Sequence, residues 1–178
     1  MNLCNLKRTF AQKTARNWDT LYVLIDVHGV IIPGSWHKTN EFRFISEDCI
    51  EVLQWFSKRS DFRIILWTSS YLAEVNKIGE WLLNQGIEVD YINCNPECKN
   101  TEYADFTYKP YFNILIDDKS GMEPEIDWLL IGKTLEDVTG DSIIKWDDTK
   151  QNRLCEGIEQ IKQSLNELVV FPKIVSGP

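Results

Sequence analysis

The stretch LYVLIDVHGV, residues 21–30, decides how this chain folds. It opens with an unbroken apolar and aromatic run, Leu21 to Ile25. It then meets Asp26, His28 and Gly29 within a few positions. A run of that length is too short for a buried helix and fits a strand covered on both faces. Such a strand delivers a carboxylate and an imidazole to the point where the chain must turn. Gly29 supplies the backbone freedom for a sharp turn.

The same pattern recurs. FRIILW (62–67) predicts a second buried strand, ending in Thr68, Ser69 and Ser70. IEVDYI (87–92) predicts a third, and FNILI (112–116) a fourth that ends in Asp117 and Asp118. WLLI (128–131) and IIKW (143–146) read as further short strands. Helical segments lie between them. SEDCIEVLQWFSKR (46–59) has Ser46 as N-cap, acids in its first turn, and Ile50, Leu53 and Phe56 at helical spacing. YLAEVNKIGEWLLNQG (71–86) is amphipathic, with Gly86 as its stop. A C-terminal helix is expected over 151–170, weakened by Gly157. Residues 29–45 mix Gly, Pro and Asn with short apolar pieces and read as a loop or small β-flap. Residues 1–17 read as an N-terminal arm or helix, and the final Ser-Gly-Pro as a frayed tail.

Strands alternating with helices predict an α/β fold: a Rossmann-like three-layer sandwich with a mostly parallel central sheet, in a single domain over 1–178. In such sheets ligands bind beyond the carboxyl ends of the strands. Three predicted strands end there in polar groups: Asp26, Thr68, and the pair Asp117 and Asp118.

Composition narrows the function. At 43% hydrophobic and 12% aromatic the chain can build a core. A formal net charge of -8 repels phosphate backbones, which disfavours general nucleic-acid binding but not a small phosphorylated substrate in a local basic pocket. No apolar run is long enough to span a membrane. The five cysteines lack disulfide-framework spacing and read as reduced thiols, so a cytoplasmic location is expected. Cys94 and Cys98 could begin a zinc site, but the only histidines are His28 and His37, and loop or core thiols are the better reading.

Carboxylates gathered at one sheet edge repel, and protonation or a cation relieves the strain. Three of them suit Mg²⁺, which prefers oxygen ligands. A metal would also let an anionic Asp26 approach a phosphoryl group and act as nucleophile. Thr68 offers a hydroxyl to a phosphoryl oxygen, with Ser69 beside it, and Lys109 an ammonium to the developing charge.

These residues resemble the motifs of the haloacid dehalogenase superfamily of phosphohydrolases, in the right order and over roughly residues 21–120. IDVHGV is similar to a first motif D-x-D-G, and ILWTSS to a second ending in Thr or Ser. Lys109 matches the third-motif lysine, and LIDD the fourth-motif acidic pair. The resemblance implies Mg²⁺ and phosphoryl transfer through an aspartyl-phosphate on Asp26. It implies metal ligation by Asp26, the His28 backbone carbonyl, and Asp117 or Asp118. Thr68 and Lys109 would bind the phosphoryl group.

One residue departs from the pattern. Where the family's phosphatases carry a second Asp, this chain has His28. A histidine can serve as acid and then base. The alternative is a catalytically weak or silent module that binds a phosphorylated partner. Dehalogenase chemistry fits Lys109 and the paired acids less well. Neither 29–45 nor the segment before the fourth strand holds a cap domain. The phosphorylated substrate is expected to be a small molecule, a protein or a nucleic-acid end; an open site suits a bulky one, or a cap supplied by a partner, with Trp36, His37, Lys38 and Arg43 nearest for recognition. Asp105 and Lys119 read as solvated, and Glu123, Glu125 and Asp127 as a solvated loop rather than support for the metal. The tryptophans at 55, 67, 81 and 128 read as core or its margin.

Overall fold

The structure, a computed structural model, describes residues 4–34 and 41–168. Its elements in chain order are α1 (Cys4–Ala15), β1 (Leu21–Asp26), α2 (Glu47–Lys58), β2 (Phe62–Trp67), α3 (Leu72–Asn84), β3 (Tyr91–Ile92), β4 (Ile114–Ile116), α4 (Pro124–Thr139) and α5 (Asp148–Leu168). A short 3-10 helix, Asp118–Ser120, follows β4. The chain separates into two compact units, Met1–Lys145 and Trp146–Pro178. The first holds the sheet. The second is built on α5, whose Gln-, Glu- and Lys-rich sequence carries few apolar groups for a core.

The four strands form one sheet in the order β3-β2-β1-β4, and every pairing is parallel. Helices flank it, as in a Rossmann-like three-layer arrangement. The strands read as continuous apolar runs because they are deeply covered: Leu21, Val23 and Ile25 of β1 and Ile65 and Leu66 of β2 have no exposed surface. α2 buries Cys49, Val52, Leu53 and Phe56, one stripe at helical spacing, and packs on β2 and α4. Each fully buried Leu or Phe contributes roughly 1.5–3 kcal/mol. Ser46 caps α2 by accepting from the Cys49 N–H at 3.2 Å. Gly86, at φ +75°, follows the end of α3 as expected.

Several expectations need correction. WLLI (128–131) is not a strand but part of α4. Asp127 and all four of those residues are buried, and a helix buried all round produces the same apolar run as a strand. Pro124 in its first turn and Gly140 at its end were the better signals. IIKW (143–146) makes no strand either. The Ile143 and Ile144 N–H groups both donate to Glu136 Oε1 at 2.9 Å, so a side chain replaces the ladder. The third and fourth strands are shorter than read, because Asp90 and Asn113 bond to the neighbouring strand through their side chains as well as their backbones. Asp127 does not sit in a solvated loop: it is buried in α4 and accepts from the Glu123 N–H at 2.8 Å.

Residues 29–34 and 41–45 contain no strand of a flap. A single bridge joins His28 to Ile32, and the Ile45 N–H donates to Ile31 O. Trp36, His37 and Lys38 lie outside the described residues, as does the C-terminal tail; Arg43 is exposed. The β3–β4 connection has no helix or strand. Glu97 anchors it across the sheet by accepting from Tyr22, Tyr91 and Arg63 at 2.7–2.9 Å.

Candidate metal and phosphoryl site

Strand order fixes where a site can form. From β1 the chain moves outward to β2 and β3, then returns to place β4 on the other side of β1. The switch point therefore lies between the carboxyl ends of β1 and β4, where parallel sheets open a crevice. Register fixes what lines it. Ile25 pairs with Ile116, so the next residues, Asp26 and Asp117, stand side by side at the rim. Asp26 pairs with Trp67 on the other flank, which sets Thr68 one step beyond it.

The acidic residues meet. Asp26, Asp117 and Asp118 each offer an oxygen, and these atoms lie within 4.8 Å of one another. All three side chains are half-buried. Burial pushes the Asp26 carboxyl above its usual range, and Asp117 and Asp118 add to the rise. The Val27 N–H, donating to Asp26 Oδ1 at 2.7 Å, and His28 pull it back. Asp117 is oriented by the Lys119 N–H, which donates to its Oδ1 at 2.7 Å.

The loop after β1 is closely packed. Val27, Val30, Ile31 and Ile32 are fully buried, and the Ile31 and Ile32 N–H groups both donate to Val27 O at 3.0 Å. Trp128 of α4 ties the loop down by donating from Nε1 to Val30 O at 3.0 Å. Gly29 suits both the turn and the close approach of Asp118. Its φ is +85°, and a Cβ there would sit 3.1 Å from Asp118 Oδ2.

At the end of β2, Thr68 is clasped by Asn93. The Thr68 N–H donates to Asn93 Oδ1 at 2.8 Å, and Asn93 Nδ2 donates to Thr68 O at 2.6 Å. Asn93 adopts φ 54°, a conformation Asn tolerates better than most residues. Thr68 Oγ1 accepts from the Ser70 N–H at 3.2 Å, and a hydroxyl that accepts still has its proton to donate. A cleft of about 370 Å³ opens here, lined by Asp26, Trp67, Thr68, Ser69, Asn93, Asp117 and Lys119.

The structure thus brings Asp26, Thr68, Ser69, Asp117 and Asp118 to one rim. Lys109 is not brought with them: it is exposed on the β3–β4 connection and does not line the cleft. The connection is pinned instead through Glu97 and through Asn95, whose Nδ2 donates to Tyr111 O at 2.8 Å. The ammonium that lines the cleft is that of Lys119, whose side chain is 81% exposed, solvated as the sequence predicts. Its Nζ contacts both Asp118 carboxylate oxygens, at 2.6 and 2.7 Å, and this bond holds its pKa up. Asn93 and Glu74 were also missed. Asn93 left only a weak signal, an Asn just past a strand. Glu74 left none, because its partner His28 is remote in sequence: His28 Nε2 lies 3.3 Å from Glu74 Oε1.

The donor set fits a hard divalent cation. Every candidate side-chain ligand is a carboxylate oxygen, the oxygens converge, and an ammonium already rests against one of them. The fold and this acidic rim define a parallel α/β protein with an oxygen-donor site at its switch point. No family model matches the chain, and no curated protein matches it. One similar solved structure is described as that of a conserved protein coded by a locus from Bacteroides thetaiotaomicron. It has a TM-score of 0.51 at 21% identity, covering 72% of this chain and 99% of that one, a likeness of fold. Among the described residues no helix is long and apolar enough to cross a membrane.

Proposed function

We propose that the protein is a Mg²⁺-dependent phosphohydrolase of the haloacid dehalogenase type that acts through an aspartyl-phosphate on Asp26. The observation that carries this reading is the convergence of Asp26, Asp117 and Asp118 at the β1/β4 rim, beside the Thr68 hydroxyl. The motif order along the sequence supports it. Asp26, Asp117 and Asp118 would hold Mg²⁺, which when bound supplies the charge neutralisation that an anionic nucleophile needs beside a phosphoryl group.

The chain's own residues supply the rest. Thr68, Ser69 and Lys119 hold the phosphoryl oxygens. An Asp26 carboxylate oxygen attacks phosphorus, and the bond from phosphorus to the leaving oxygen breaks. His28 gives that oxygen its proton. The neutral imidazole then takes a proton from water, whose oxygen attacks the phosphoenzyme. Inorganic phosphate leaves and Asp26 is restored. The β3–β4 connection builds no domain over the cleft, which suits a bulky phosphorylated substrate such as a protein or nucleic-acid end.

The test is phosphate release from a panel of phosphorylated metabolites, peptides and oligonucleotides with Mg²⁺. Release is expected from the wild type and absent in Asp26→Asn. Tight binding of a panel member without release would replace the enzyme with a module that docks a phosphorylated partner. No Asp26-dependent release and no binding would overturn both.

A further inference from the structure

We propose that Glu74 is the positioning residue for His28: it fixes the ring's tautomer and aim, so that an imidazole can work where the resembling phosphatases use a carboxylate. The inference rests on the reading of His28 as the proton-transfer group.

The argument starts from backbone placement. β2 ends beside β1, and α3 begins a few residues later, with the Glu74 N–H donating to Tyr71 O at 2.9 Å. Glu74 therefore stands in the first turn of α3, where a carboxylate is favoured, at the same rim of the sheet as Asp26. His28 comes to that rim on the loop after β1. Its backbone is held by the buried loop side chains and by Trp128. An aspartate in its place would have a symmetric carboxylate to present. An imidazole has two unlike nitrogens and must be aimed.

Glu74 supplies the aim. Its Oε1 lies 3.3 Å from His28 Nε2, and the side chains are 24% and 26% exposed, so water only partly competes for the contact. A carboxylate can only accept, so Nε2 must carry a hydrogen, and in the neutral ring the basic lone pair falls on Nδ1. The distance is at the long end for a hydrogen bond. Glu74 touches no reacting atom in this scheme; it acts through the ring.

The chain has only two histidines, His28 and His37, so the imidazoles can be followed directly by long-range ¹H–¹⁵N NMR on the full chain, with His28→Ala for assignment. At a pH where the rings are neutral, His28 is expected in the Nε2–H form. Glu74→Gln, whose amide oxygen still accepts, should keep that form, and Glu74→Ala should release a mixture. With p-nitrophenyl phosphate and Mg²⁺, Glu74→Ala should lower kcat on the order of tenfold to a hundredfold with KM within about twofold, Glu74→Gln should recover much of it, and His28→Ala/Glu74→Ala should be no slower than His28→Ala. An Nδ1–H tautomer in the wild type, a tautomer indifferent to Glu74→Ala, or multiplicative losses in the double variant would overturn the proposal. A fixed Nε2–H tautomer without Asp26-dependent phosphate release would overturn the phosphohydrolase reading and leave the positioning contact standing. A scrambled tautomer with Asp26-dependent release would do the reverse.

Discussion

Replacing Asp26 by Asn should stabilise the metal-free protein while destroying its response to Mg²⁺. The substitution is clean, because an amide oxygen can still accept from the Val27 N–H that now bonds Asp26 Oδ1. What it removes is charge. At the 4.8 Å that bounds the separations in this cluster, two unit charges repel by about 0.9 kcal/mol in water and about 3.5 kcal/mol at an effective dielectric of 20. Asp26 takes part in two such pairs, with Asp117 and Asp118. The groups are half-buried and Lys119 already offsets Asp118, so the low end applies. The expected gain is about 1–2 kcal/mol at neutral pH.

Its pH dependence has a definite sign. The folded state raises the Asp26 carboxyl above its ordinary value, so the wild type loses stability as pH climbs from that ordinary value through the raised one. Below the ordinary value the group is protonated folded and unfolded, and the advantage of Asn should vanish. Denaturant unfolding followed by tryptophan fluorescence, with chelator present, reads this directly. Added Mg²⁺ at a hundred times its Kd should then stabilise the wild type by about 2.7 kcal/mol and the variant far less. If Asp26→Asn proves no more stable at neutral pH, or keeps its advantage in acid, the carboxylates do not share a site.

Gly29→Ala should destabilise by about 1–2 kcal/mol from the left-handed backbone alone, and weaken Mg²⁺ binding by pressing on Asp118, as calorimetric titration would show. Lys119→Met should raise Mg²⁺ affinity in the absence of phosphate, by removing the ammonium from Asp118, and lower affinity for inorganic phosphate; both are measurable by calorimetry. Trp128→Phe should cost about 1–3 kcal/mol in denaturant unfolding, because Val30 O loses its buried donor, and should loosen the loop that carries His28, seen as faster amide exchange at Ile31 and Ile32. Ser46→Ala should cost about 1 kcal/mol through loss of the α2 cap.

The amino-acid sequence alone determined the fold class and named most of the polar groups that gather at the rim. Buried parallel strands must be continuous apolar runs, and a carboxylate or hydroxyl that ends such a run is left at the turn. Asp26, Thr68, Asp117 and Asp118 were therefore legible from their neighbours. Local rules also served for α2, with its Ser46 cap and apolar stripe, and for α3, with its apolar stripe and Gly86 stop. They failed for WLLI, since complete burial erases the periodicity that separates helix from strand, and for IIKW, whose backbone partner is a side chain on α4. Only tertiary structure decided the register that sets Asp26 beside Asp117, the substitution of Lys119 for Lys109 at the cleft, and the meeting of His28 with Glu74. Each depends on contacts between segments far apart in the chain, and no short-range pattern of apolar and polar residues encodes where a distant side chain will arrive.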